Sequence, residues 1–310
     1  MELLFIIPCI LLILALIVLI TTYICFRLAF YVPDRDPEKY GTDILPKGKI
    51  YEPFYENMKR WAKETSEMKS EEFCITSFDN LKLYGRYYEY ESGAPIELMF
   101  HGYRGAAQRD LSGAVQRCFK LGHSALLVDQ RASEKSEGNI ISFGVNEHRD
   151  CHAWISFMIE HFESDVKIIL CGISMGASTV LMATSKPLPE NVIGVLADCG
   201  YSDQKAIIKK VIKQMHLPAA AYVFVKLGAR LFGHFDLEEL TPLSALKNCK
   251  VPVIIFHGEA DDFVPCEMSS EIYDACRSKK RLVTVPDAGH GLSYPIDHER
   301  YLAALREFFQ

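Results

Sequence analysis

The turn around Ser174 leaves this chain few ways to fold. The apolar run Val166-Lys167-Ile168-Ile169-Leu170 leads into Cys171-Gly172-Ile173-Ser174-Met175-Gly176, and the chain continues as the helix-forming Ala177-Ser178-Thr179-Val180-Leu181-Met182-Ala183. A strand that passes straight into a helix across Gly-x-Ser-x-Gly presents its serine on a tight bend, where glycine lets backbone approach backbone without a Cβ in the way. At average residue usage such a pentapeptide arises about 0.1 times in a chain of this size. Here it stands at the end of a strand-like run.

The rest of the sequence alternates in the same manner. Two strand-like runs, 73–78 and 81–90, flank the turn pair Asp79-Asn80 and predict a hairpin. Further strands are predicted at 96–100, 124–128, 166–170, 192–197, 251–256 and 281–285. Helices are predicted near 106–121, 145–161, after Ser174, at 265–277 and from 296 onward. Strands interleaved with helices in this way give βαβ units, hence an α/β fold with a mainly parallel sheet and helices on both faces. The stretch between Ala197 and Val251 is longer than an ordinary connection and carries helical patterns over 206–215 and 219–232. It predicts a small helical cap, 201–249, over the carboxyl edge of the sheet. Its apolar residues Leu217, Tyr222, Phe224, Leu231 and Phe235 suit either an acyl pocket or the cap's own core.

The first thirty residues differ in kind. No residue from Leu3 to Phe26 is charged, and a helix of that length extends about 36 Å, enough to cross a hydrocarbon core of about 30 Å. The stretch exceeds the apolar core of a signal peptide, no basic residue precedes it, and no clear small-residue cleavage site follows it, so 1–32 is expected to be an uncleaved transmembrane helix. Arg27, Arg35 and Lys39 follow it, which by the positive-inside rule makes a single-pass membrane protein with its large part in the cytoplasm. Residues 33–66 read as a linker and a short helix over 53–65, leaving 67–310 as the folded domain.

Charge and side-chain spacing exclude other classes of partner. A formal net charge of -6 without a run of Lys or Arg argues against nucleic acid. The cysteines beyond the first helix are dispersed, with no Cys-x-x-Cys pair, and read as reduced, mostly buried thiols. His148 and His152 are four apart on a predicted helix with no third ligand nearby, so they read as a solvated face, and neither metal nor cofactor is expected.

A serine hydroxyl is a weak nucleophile until a base takes its proton, and the base works best when a carboxylate fixes its tautomer. Both groups should therefore follow downstream, each after a strand. The strand at 251–256 runs into His257-Gly258-Glu259-Ala260-Asp261-Asp262-Phe263-Val264-Pro265, and the strand at 281–285 into Asp287-Ala288-Gly289-His290-Gly291. His290 alone follows the last strand in a glycine-flanked loop; either Asp261 or Asp262 could face it, depending on how the loop bends.

With His101-Gly102-Tyr103-Arg104-Gly105 after the strand at 96–100, these motifs stand in an order that resembles the α/β-hydrolase superfamily from about residue 73 to the end. The chain looks like the bacterial membrane-anchored serine hydrolases of the esterase and acylaminoacyl-peptidase group. The resemblance implies the α/β-hydrolase fold and a catalytic triad of Ser174, Asp261 and His290, the family's Gly-x-x-Asp-x-x-Val-Pro pattern placing the acid on Asp261. It implies an oxyanion hole made by the backbone N–H groups of Met175 and Tyr103. His101 reads as a hydrogen-bonded histidine at a strand end, and Asp129-Gln130-Arg131 as a scaffold for the loops. The expected activity is cleavage of carboxylic esters, acyl-lipids or thioesters through an acyl-serine, on a small acyl ester or lipid near the membrane. The alternatives are an amidase or peptidase of the same fold and a catalytically inactive membrane-tethered binding protein. The prolyl-peptidase relatives carry a β-propeller for which a chain of 310 residues is expected to have no room, and an inactive protein would lack one of the three catalytic groups.

Overall fold

The computed structural model describes residues 2–33, 45–46, 48–162 and 164–309, with side chains from Ile6 onward. Most of the predicted linker over 33–50 lies outside the described residues. Eight strands form one sheet: β1 (Glu71–Thr76), β2 (Lys82–Tyr88), β3 (Ile96–Phe100), β4 (Ser124–Val128), β5 (Ile168–Ile173), β6 (Val192–Asp198), β7 (Val253–Gly258) and β8 (Lys280–Val285). Their order is β1-β2-β4-β3-β5-β6-β7-β8. The two pairings of β2 are antiparallel and the others parallel. The hairpin turns at Asn80, whose φ of 68° is a left-handed conformation that asparagine tolerates.

Alternating side chains feed two helical layers. Met99, Leu127, Ile169, Leu196 and Phe256 pack under α3 (Ala107–Leu121) and α11 (His298–Phe309), joined by Trp61 of α2 (Tyr55–Glu67). Their sequence neighbours Leu98, Leu126, Leu170, Val195 and Ile255 face the opposite layer, α4 (Glu147–His161), α5 (Met175–Ala183), α8 (Pro242–Leu246) and α9 (Glu267–Ala275). Burial on both faces explains why the central strands are unbroken apolar runs. Each such side chain contributes about 1.5–3 kcal/mol by leaving water.

The N-terminal segment is joined to this body more closely than the sequence implied. Helix α1 (Glu2–Ala29) is long and apolar enough to cross a membrane. Its last turns, however, bury Phe26, and the chain just beyond buries Phe30 and Val32, in one cluster with Tyr222, Val225, Ala229 and Phe235 of the cap and Met175 and Tyr201 of the body. The cap helices are α6 (Gln204–Gln214) and α7 (Ala221–Leu231). Gly228 permits the close approach: a Cβ there would lie 3.0 Å from both Phe26 Cβ and the Thr22 carbonyl oxygen. A division at residue 32 thus cuts through packed side chains. The short helix expected over 53–65 is α2, and it packs on the domain, since its Trp61 ring lies where a Cβ on Gly113 of α3 would come within 2.7 Å.

One expectation on α4 is corrected. His148 and His152 are not a solvated face: His148 is buried with Nδ1 3.1 Å from the Gly144 carbonyl oxygen, and burial lowers the pKa of both imidazoles. The cause lies in the same turn, where Asp150 receives a fork of two 2.7 Å hydrogen bonds from Arg131 and draws the start of the helix inward.

Candidate active site

Ser174 joins β5 to α5 with φ 55° and ψ -119°, a conformation that costs an L-residue about 1–3 kcal/mol and persists only where its surroundings impose it. They do so here through backbone bonds. The Ser174 N–H donates to the Asp198 carbonyl at 2.8 Å, and its own carbonyl accepts from Ser178 N–H at 3.2 Å. A Cβ on Gly172 would lie 2.2 Å from the carbonyl carbon of Gly176, and one on Gly176 would lie 2.0 Å from the Phe100 carbonyl oxygen. Both glycines are therefore dictated by backbone-to-backbone approach, which leaves the serine side chain projecting from the bend.

The imidazole of His290 meets that side chain. His290 Nε2 is 2.9 Å from Ser174 Oγ, and His290 Nδ1 is 2.7 Å from Asp261 Oδ2. A carboxylate beside Nδ1 places the hydrogen there and leaves the Nε2 lone pair toward the hydroxyl. Burial alone would raise the Asp261 pKa, but hydrogen bonds from His257, His290 and the Val264 N–H hold its carboxyl well below the usual carboxylate range. The Phe263 and Val264 N–H groups both donate to Oδ1 at 2.9 Å. The rival Asp262 is exposed; its carbonyl accepts from Lys210 Nζ in the cap.

Sequence reasoning passed over His257. It is fully buried, with Nε2 2.9 Å from the Val264 carbonyl and 3.3 Å from Asp261 Oδ2, and with Nδ1 2.5 Å from Ser269 Oγ. A carbonyl can only accept, so Nε2 carries a hydrogen toward both oxygens. The signal was present: a histidine closing an apolar strand directly before the loop that carries the acid.

Met175 and the loop of Tyr103, the two places where anion donors are expected, both adjoin the serine. Met175 is the first residue of α5, so its N–H has no acceptor within the helix. The loop holding Tyr103 lies against the bend, a Cβ on Gly102 falling 3.5 Å from Ser174 Cβ. Beneath it His101 is buried, with Nδ1 2.8 Å from the Gly102 carbonyl and Nε2 accepting from Gln130 N–H at 3.1 Å. The side chains of the same loop grip the end of α1. Tyr103 OH donates to the Ala29 carbonyl at 2.8 Å, and Arg104 Nη2 donates to the carbonyls of Leu28 at 3.0 Å and Tyr31 at 3.1 Å.

A cavity of about 300 Å³ opens beside Ser174, walled by Tyr51, Met58 and Trp61, by Leu111 of α3, and by Phe263 and Tyr294 near His290. None of Leu217, Tyr222, Phe224, Leu231 and Phe235 lines it. Tyr222 and Phe235 are spent on the cluster that holds α1, while Leu217 and Leu231 face outward. Of the two readings of these cap residues, the acyl pocket is therefore not the one this cavity bears out, and the N-terminal segment supplies part of its wall through Tyr51, Met58 and Trp61. Tyr51 OH donates to the His290 carbonyl at 3.0 Å, tying that wall to the imidazole loop. The Cys199 thiol, with Asp261 and His290, places ligand atoms within 4.8 Å of one another. Burial pushes that thiol well up, away from the thiolate that ligates a metal, and the carboxylate and imidazole already bind each other.

Residues 140–310 match the prolyl oligopeptidase family. The chain is 25% identical over 194 residues to the uncharacterized protein YqkD of Bacillus subtilis (strain 168), covering 61% of this chain and 62% of that relative. In fold it is similar to the Pyrococcus furiosus esterase Pf2001, with a TM-score of 0.64 at 22% identity over 86% of this chain and 96% of that one. It is also similar to a Mycobacterium tuberculosis puromycin-hydrolyzing peptidase, with a TM-score of 0.60 at 17% identity over 78% of this chain and 39% of that one. The sheet order, the helical layers and these likenesses define an α/β-hydrolase fold. The chain is an enzyme of the serine-hydrolase type and belongs to the prolyl oligopeptidase family.

Proposed function

We propose that this enzyme is a membrane-tethered esterase in which Ser174, His290 and Asp261 form the catalytic triad and the N–H groups of Met175 and Tyr103 receive the oxyanion. The reading rests on the continuous path from Ser174 Oγ to His290 at 2.9 Å and from His290 to Asp261 at 2.7 Å. His290 Nε2 takes the hydroxyl proton as Oγ attacks the ester carbonyl carbon. Negative charge develops on the carbonyl oxygen, where each placed N–H is worth about 2.7–4 kcal/mol. His290 then returns the proton to the departing alkoxide, and a water molecule repeats the cycle on the acyl-serine. Asp261, kept ionised by its hydrogen bonds, stabilises the imidazolium between the two transfers.

The preference for an ester or acyl-lipid is supported by the apolar cavity walls, Met58, Trp61 and Leu111, and by a neighbouring helix long and apolar enough to reach a bilayer. The chain's family favours a second reading, an amide or peptide substrate, in which the same proton leaves with an amine. Arg27, Arg35 and Lys39 after the apolar stretch support a cytoplasmic domain; protease added to intact cells is then expected to spare it, and digestion would reverse the topology. A series of nitrophenyl esters and matching anilides of increasing acyl length, assayed with the full-length protein in detergent, tests the substrate class. Esters turning over faster than anilides at every length is the expected result; faster anilides would move the enzyme to amides.

A further inference from the structure

Outside α1, eight large apolar side chains are exposed among the described residues, and four of them, Met215, Leu217, Val223 and Leu231, fall within the cap. Residues 213–220, which join α6 to α7, are exposed without exception. Helix α6 begins next to the sheet, where Ser202 and Gln204 are buried, and the chain returns to the sheet after α7 through the buried Phe235 and Leu237. The exposed joint is therefore the tip of the cap, turned away from the buried ends that lead to the sheet. Helix α1 leaves the body from the same side, its carbonyl end tied to Tyr103 and Arg104, and runs alongside α7 in the same sense. Gly228 faces Thr22 and Phe26, Phe232 meets Phe26 at 5.6 Å between rings, and Phe235 meets Phe30 at 5.2 Å. This register carries the cap's tip up beside the part of α1 whose apolar side chains are exposed.

The charge of the cap points to what it touches. Between Asp203 and Asp236 there is no acidic residue, and there are six basic ones, in a chain whose formal net charge is -6. Lys226 and Arg230 pair with Glu238 and Asp236 at the base of the cap. Lys209 and Lys213, nearer the tip, face no carboxylate within ion-pair distance among the described residues. Exposed apolar side chains bordered by lysines are the composition of a segment lying at the boundary between headgroups and acyl chains.

We propose that the tip of the cap, residues 213–223, is seated in the surface of the bilayer that α1 crosses, with Met215, Leu217 and Val223 among the upper acyl segments and Lys209 and Lys213 at anionic headgroups. The proposal rests on α1 spanning that bilayer, and the test separates the two. Full-length protein is reconstituted in phosphatidylcholine–phosphatidylglycerol vesicles whose phosphatidylcholine is brominated, in separate preparations, near the carbonyl end of its chains for positions 217, 223 and 90 and deep in its chains for positions 12 and 90, and tryptophan quenching is read for Leu12→Trp, Leu217→Trp, Val223→Trp and Tyr90→Trp. The unaltered protein, with buried Trp61 and Trp154, gives the background, and Tyr90 lies at the opposite edge of the sheet beside Ser124. Added emission at positions 12, 217 and 223 is expected to fall at least twofold while that at 90 stays unchanged. Quenching at 12 with 217 and 223 both at the level of 90 would overturn the proposal and leave the span standing; a protein partner at the tip gives that same result. Loss of quenching at 12 would overturn both.

Discussion

The three side chains proposed as the triad and the walls around them are built in different ways. Ser174, Asp261 and His290 stand at the ends of β5, β7 and β8, each fixed by backbone geometry within a few residues: Gly172 and Gly176 around the serine, the Phe263 and Val264 N–H groups around the acid. Part of the cavity wall and the support of the Tyr103 loop come from sequence more than a hundred residues earlier than the serine, from Tyr51, Met58, Trp61 and the carbonyl end of α1. Chemistry is thus set locally, on a sheet buried on both faces, whereas the shape of the substrate space depends on how an N-terminal segment packs. Replacements in the first group should abolish turnover and spare the fold; those in the second should alter stability and selectivity.

The largest effect is expected at His290. His290→Ala should lower turnover by about 10⁴-fold or more, with circular dichroism unchanged. Asp261→Asn should cost about 10⁴-fold by favouring the wrong imidazole tautomer, while Asp262→Asn should stay within about twofold of the parent; comparable losses in both would break the assignment of the acid. The same carboxyl has a stability signature. Its folded pKa is depressed, so its contribution is complete above the unfolded carboxyl's value of about 3.9 and is lost as pH falls through the folded value. Unfolding midpoints measured from pH 5 downward should fall more steeply for the parent than for Asp261→Asn.

On the other side of the comparison, Trp61→Ala removes a buried ring and should cost about 3–5 kcal/mol in denaturant unfolding. It should also shift the preferred acyl length upward, a change that a purely structural loss does not produce. A smaller effect on turnover is expected for Tyr103→Phe, which keeps the backbone N–H and loses only the bond to the Ala29 carbonyl, worth about 1 kcal/mol. A few-fold fall in kcat with unchanged KM would tie the end of α1 to the oxyanion loop; an unaltered kcat would sever that link.

The same division explains what could be read from the sequence. Strands β3 and β4 have the predicted bounds because their apolar runs end at turn residues, and the serine could be located because only glycine fits at 172 and 176. The family resemblance points to Asp261, but the residues alone leave Asp262 open, because that choice depends on the bend of the loop, in which two N–H groups gather on one carboxylate. The role of α2 was hidden, since nothing near Trp61 announces that its ring will lie over Gly113. Tyr222 and Phe235 stand between two readings for a similar reason: an apolar side chain does not reveal whether it will cover a substrate or the end of another helix.

The central claim, that the Ser174 hydroxyl is the nucleophile, is tested most directly by intact-mass measurement after exposure to a fluorophosphonate. One adduct on the parent protein and none on Ser174→Ala is the predicted result. Equal modification of both would contradict it.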